Sequence, residues 1–143
     1  YAKKSEFYKN NILNNKINYI GNVDKFINKL KNKNKKFIIV TNSSIKSLEI
    51  FKEKYPILNL FDKIFTKEDF NKKKPDPECY LKIQDLYQSY KMIGFEDSNP
   101  GSCALSYATN IKPIHIKTPD YYYNDHIKNE YNFEIIDNYD CFN

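Results

Sequence analysis

No arginine occurs in the chain: all 23 basic residues are lysine, and the formal net charge is +5. That absence bears on the densest basic stretch, where Lys31, Lys33, Lys35 and Lys36 alternate with Asn32 and Asn34. Lysine is a point charge and lacks the planar fork with which arginine grips guanine edges and phosphates in two places. No nucleic-acid-binding motif accompanies the stretch, so it reads as a solvated helix end and no nucleic-acid partner is expected. Long apolar runs are also lacking. None approaches the roughly 20 residues that cross a bilayer, and no signal-peptide pattern opens the chain, so no membrane partner is expected. Cysteine is scarce. Cys79, Cys103 and Cys141 stand at spacings that fit neither a zinc site nor a disulfide framework. They read as reduced thiols packed as small hydrophobes, which points to a cytoplasmic location.

What is present argues for one folded domain. The 143 residues are 41% hydrophobic and 16% aromatic, too apolar for a disordered chain. Residues 3–17 carry Phe7, Tyr8, Ile12, Leu13 and Ile17 at helical steps. Gly21 and Asn22 break that pattern, and a second helix follows with Val23, Phe26, Ile27 and Leu30 on one face. Residues 37–40 form an apolar, β-prone run of the kind buried in parallel sheets. Ser43 or Ser44 then caps a helix that shows Ile45, Leu48 and Phe51 on one side. The alternation continues. Ile64 and Phe65 read as a strand and residues 74–77 as a rigid loop. Residues 78–87 form a helix with Tyr80, Leu81, Ile83 and Leu86 as apolar positions, and residues 92–95 a strand. Pro100 opens a helix through Ala104, Leu105 and Ala108, and strands follow at residues 114–116 and 133–136. Residues 120–132 read as a polar, tyrosine-rich loop with a short helix. There is no internal repeat. Strands alternating with helices imply an α/β fold, a three-layer Rossmann-like parallel sheet with helices on both faces. In it, residues 37–40 and 92–95 are expected to be buried parallel neighbours.

In such folds ligands gather at the carboxyl ends of the strands. Three polar clusters fall there: Thr41, Asn42 and Ser43; the loop holding Lys74; and Glu96 with Asp97. Hydroxyls and backbone N–H groups at a helix start bind phosphoryl oxygens. A lysine neutralises developing charge, and adjacent carboxylates suit magnesium. Singly, each cluster has a plainer reading. Thr41 begins a turn, the serines cap a helix, Lys74 is a solvated lysine beside Lys72 and Lys73, and Glu96 with Asp97 cap a helix.

Their order narrows the choice. FIIVTNSS (residues 37–44), KPDPECY (74–80) and IGFEDSNPG (93–101) resemble the second, third and fourth motifs of the haloacid dehalogenase (HAD)-like hydrolase superfamily. The resemblance is to its small-cap branch, with beta-phosphoglucomutase and phosphoglycolate-type phosphatases, and it covers residues 22–136. It implies that Thr41 hydrogen-bonds the transferring phosphoryl group, with Asn42 and Ser43 beside it. Lys74 would pair with the nucleophilic carboxylate and the phosphoryl oxygens. Asp97 would ligate Mg2+, with Glu96 as a second ligand or its water-mediated partner. Residues 1–20 would be the end of a helical cap and its return linker, and residues 21–143 the C-terminal part of the core. The substrate would be a small phosphorylated metabolite.

The family's first motif, an Asp-x-Asp strand, has no counterpart: before Phe37 the only aspartate is Asp24, within the second helix. The sheet is therefore expected to lack its first strand. With Tyr1 in place of a methionine, the chain reads as a fragment of a Mg-dependent phosphatase or phosphomutase that is inactive alone. The alternative is a non-catalytic HAD-like binding domain.

Overall fold

The computed structural model describes residues 10, 13–14, 18–31, 33–118 and 133–142. Most of the first expected helix, and the expected loop at 120–132, lie outside them. The chain enters its core through a tight turn at Ile20–Asn22, where Gly21 (φ 50°) and Asn22 (φ 63°) are both left-handed. Glycine is required at the first of these, because a Cβ on Gly21 would lie 2.9 Å from the Asn138 Cα. Asn22 Nδ2 donates to the Asp140 carboxylate at 3.1 Å, tying this turn to the C-terminal turn Tyr139–Phe142.

Helix α1 (Val23–Lys31) follows, then strand β1 (Ile38–Val40), helix α2 (Ile45–Lys54) and strand β2 (Lys63–Phe65). Next come helix α3 (Glu78–Leu86), strand β3 (Met92–Glu96), helix α4 (Asn99–Ser106), strand β4 (Ile111–Ile116) and strand β5 (Glu134–Ile136). Every strand pair is parallel, and the apolar strands have helices on both faces, as an α/β parallel-sheet fold requires.

Strand periodicity sorts the side chains into two cores. Ile38, Val40, Met92 and Ile111 face α3 and α4, packing with Cys79, Tyr80, Ile83, Ala104, Leu105 and Ala108. Phe95, Ile114, Ile116 and Ile136 face the other way and pack with Val23 and Phe26 of α1 and with Tyr139 and Phe142. Phe26 stacks on Tyr139 with ring centres 5.0 Å apart and meets Phe95 edge-on at 5.7 Å. One aromatic ring thus fixes α1 over β3.

Three sequence expectations need correction. Residues 37–40 and 92–95 are not neighbours: β1 pairs with β2, β3 with β4, and the described strands form two sheets, β1-β2 and β3-β4-β5. Nor is β3 wholly buried, since Ile93 is 52% exposed. Nor are all the thiols packed, since Cys141 is exposed while Cys79 is buried. Of the apolar positions on α3, Tyr80 and Ile83 are buried and Leu81 and Leu86 are exposed. Among the described residues no helix is long and apolar enough to cross a membrane.

Candidate active site

Strand β1 ends at Val40, and the chain turns at once. Thr41 N–H continues the ladder to Phe65 O at 2.9 Å, while its Oγ1 accepts the Ser43 N–H at 3.1 Å. Ser44, extended in backbone, caps α2 by accepting the Ser47 N–H at 3.2 Å. Two short hydrogen-bonded devices therefore hold the hydroxyls of this segment at the end of β1. Asn42 reaches across 32 residues. Its Oδ1 accepts the Lys74 N–H at 3.2 Å, and its Nδ2 donates to Lys74 O at 3.4 Å. The Lys74 backbone is thereby docked against the β1 loop.

Lys74 is unlike its neighbours Lys72 and Lys73, which are exposed; its own side chain is 9% exposed. The ammonium donates to Val40 O at 2.9 Å, to the Tyr80 hydroxyl oxygen at 3.0 Å, and to Glu96 Oε1. It therefore spans from the end of β1 to the end of β3. Tyr80 also donates its hydroxyl proton to Glu96 Oε1. Burial, and then the adjacent Glu96 charge, raise the Tyr80 pKa well above the usual phenol value, so this hydroxyl remains a donor.

Glu96 is buried against α4. A Cβ on Gly101 would fall 1.8 Å from Glu96 Oε2, so only glycine leaves room for the carboxylate in that turn. Ser98 caps α4 through the Gly101 N–H at 3.1 Å. Behind the rim, Ser102 Oγ and His115 Nδ1 lie 2.7 Å apart, both buried. Burial lowers the His115 pKa, opposed by the charge of Asp97.

The structure thus joins Asn42, Lys74 and Glu96 directly and sets Thr41 one residue beyond the carbonyl that Lys74 holds. Asp97 follows Glu96, half-buried. Tyr80, expected as an apolar position of α3 and not as a site residue, belongs to the site through its hydroxyl. Its place three residues after the Pro77 that opens α3 was the available signal, but periodicity alone does not reveal what lies opposite its hydroxyl. For a hard cation the donors fit in kind, being oxygens: the Asp97 carboxylate and the buried Asn99 Oδ1, which has no hydrogen-bond partner. Among the described residues no group of three or more His, Cys, Asp or Glu comes together. The protein ligands would be few, as magnesium, which retains waters, tolerates. Beside Thr41 and Ser43, a mainly apolar groove of about 370 Å³ runs over Ile39 between Val23 and Ile27 of α1 and Leu48 and Phe51 of α2.

The chain is similar in fold to a HAD hydrolase of family IA, variant 3, from Entamoeba histolytica, with TM-score 0.76 and 24% identity over 95% of this chain and 62% of that one. It is similar to a predicted phosphoglycolate phosphatase from Haemophilus somnus (TM-score 0.74, 20% identity, 96% of this chain and 61% of that one). It is also similar to CbbY from Rhodobacter sphaeroides, solved in complex with phosphate (TM-score 0.68, 19% identity, 82% and 54%). The chain therefore spans between about half and three-fifths of the length of these structures. No curated protein matches it. Residues 2–104 match the family described as haloacid dehalogenase-like hydrolase, and the chain belongs to that family.

Proposed function

We propose that this chain supplies the C-terminal part of the core of a Mg2+-dependent phosphatase or phosphomutase acting on a small phosphomonoester. The observation that carries the reading is the buried Lys74 ammonium, held between the ends of β1 and β3. A cation fixed at that rim by a carbonyl, a phenol and a carboxylate sets positive charge where phosphoryl charge builds up, and one of its three hydrogen bonds gives way for it to donate to the phosphoryl group. Thr41, with Asn42 and Ser43 beside it, offers hydroxyl and backbone N–H donors to the phosphoryl oxygens where α2 begins. Asp97, with Glu96 near it, supplies carboxylate to the cation, which when bound would neutralise phosphoryl charge.

The nucleophile is not among these residues, since no two aspartates in the chain stand two apart. We place it on a strand from the rest of the protein, between β1 and β3. That position would join the two sheets and bring its carboxylate to Lys74, where an aspartyl-phosphate would form. Residues 1–20 would then close a helical cap and residues 21–143 complete the core, in a cytoplasmic protein. The lack of paired aspartates equally favours a second reading, a non-catalytic binding domain. One experiment separates the two. The 143-residue chain, and the same chain extended by its upstream coding residues, are assayed for hydrolysis of a generic phosphomonoester with magnesium. The chain alone is expected to be inactive and the extended protein active, with Lys74→Ala lowering mainly turnover. An inactive extended protein, or an upstream sequence without an Asp-x-Asp strand, selects the binding domain.

A further inference from the structure

The Lys74 ammonium places all three of its hydrogens within the chain, on Val40 O, the Tyr80 hydroxyl oxygen and Glu96 Oε1. A phosphoryl oxygen that meets this cation must replace one of the three, and they differ in what their release costs. Glu96 is buried, and parting it from the ammonium strands a carboxylate. Val40 O belongs to the backbone at the end of β1. The next N–H, that of Thr41, turns to Phe65 on β2, so Val40 O points to the opposite edge, where the ammonium is its donor. Without that donor the carbonyl is left unsatisfied. Tyr80 differs from both. Its phenol is neutral and buried, and its own hydrogen goes to Glu96 Oε1. Releasing the ammonium from the phenol oxygen strands neither a charge nor a donor, because the hydroxyl stays on Glu96. The ammonium also lies over the Tyr80 ring, 4.8 Å from its centre, an attraction that does not depend on the hydroxyl.

We infer that the hydrogen bond Lys74 gives up to a phosphoryl oxygen is the one to Tyr80, which makes Tyr80 a positioning residue for the catalytic lysine. Its hydroxyl holds the ammonium at the rim while the site is empty. Once the ammonium turns to the phosphoryl group, the same hydroxyl keeps Glu96 hydrogen-bonded. The inference rests on the phosphoryl role proposed for Lys74 and names the contact that this role displaces.

The test is titration of the 143-residue chain with inorganic phosphate, followed by nuclear magnetic resonance at the Lys74 ammonium nitrogen and the Thr41 and Ser43 amides, with melting curves in parallel. Phosphate is expected to shift all three signals in the wild-type chain. Tyr80→Phe keeps the ring and removes the bond that has to be broken. It should bind phosphate about fivefold more tightly, yet melt about 2–4 °C lower without phosphate, because the ammonium has lost an acceptor. A residue with a structural role alone would not move affinity and stability in opposite directions. Should Tyr80→Phe fail to fold, the wild-type chain decides through the couplings across hydrogen bonds from Lys74 Nζ to the Val40 carbonyl carbon and to Glu96 Cδ. Both should persist with phosphate bound. Unchanged or weaker phosphate binding in Tyr80→Phe, or loss of either coupling, overturns the role of Tyr80 and leaves the phosphoryl reading standing. No phosphate binding by the wild-type chain, or binding that leaves the Lys74 signal unmoved, overturns both.

Discussion

The ammonium of Lys74 has three hydrogens, and three acceptors surround it: Val40 O, the Tyr80 hydroxyl and Glu96 Oε1. With both side chains only 9% exposed, the Lys74–Glu96 pair is a buried ion pair. Such pairs gain little over an apolar replacement, but losing one member strands the other charge. We therefore expect Lys74→Met to lower the unfolding free energy by about 3–5 kcal/mol. Glu96→Gln should act similarly, and the double variant should recover a large part of the loss. Urea denaturation of the four proteins measures this, and additive losses would show that the two charges do not depend on each other. Gly101→Ala probes the same pair by steric means. Its methyl group would sit on the Glu96 carboxylate, so a loss of about 2–4 kcal/mol is expected from overpacking together with the displaced ion pair. A midpoint within experimental error of wild type would mean that Glu96 moves without cost.

Among the elements, α2 and α4 begin immediately beyond strand ends, so their caps also set the rim of the site. Ser44 and Ser98 each accept the backbone N–H three residues later, at 3.2 and 3.1 Å. Each Ser→Ala change should cost about 1 kcal/mol. Ser44 also meets the Ser47 hydroxyl at 3.0 Å, so the accompanying change Ser47→Ala should cost less than Ser44→Ala, since the backbone cap survives it. Denaturation midpoints rank the three variants, and a Ser47→Ala loss as large as that of Ser44→Ala would put the capping energy in the hydroxyl pair. The cap of α2 was legible beforehand as Ser43 or Ser44, because a cap is a local event: a small polar residue, extended backbone and an apolar helix face within a few positions. At α4 the expected cap pair was Glu96 and Asp97, and the structure gives the role to Ser98. Of the four apolar positions expected on α3, Leu81 and Leu86 lie outside the core. Period 3.6 shows that a helix has an apolar stripe, but the partner's width decides how much of that stripe is covered.

Seen as a whole, the described strands form two sheets joined through helices and through Lys74. In the three-stranded sheet, β4 is bonded on both sides; β1 has β2 alone, among the described strands. Opening β1 and β2 exposes less apolar surface than opening β3-β4-β5. Native-state hydrogen exchange should accordingly protect residues 111–116 with the largest free energies and release residues 38–40 and 63–65 at lower ones. Equal protection in both sheets would show that they unfold as one unit. A segment supplying a strand between β1 and β3 should abolish the difference.

The sequence by itself determined the local order of this protein. Parallel-strand runs, helix faces, serine caps and three motifs at strand ends are written within spans of ten residues or so, where backbone geometry and hydrophobic period act directly. It also determined the family, because the residue types at those ends are chemically restrictive. Only the tertiary structure decided which strand lies beside which. Pairing joins residues distant in sequence and is set by how the helices cross over, so it could not be read from composition that residues 37–40 pair with 63–65 and not with 92–95. Tertiary structure also separated Lys74 from Lys72 and Lys73. All three have the same intrinsic chemistry, and burial beside Val40, Tyr80 and Glu96 is what makes one of them a fixed charge while the others remain in water.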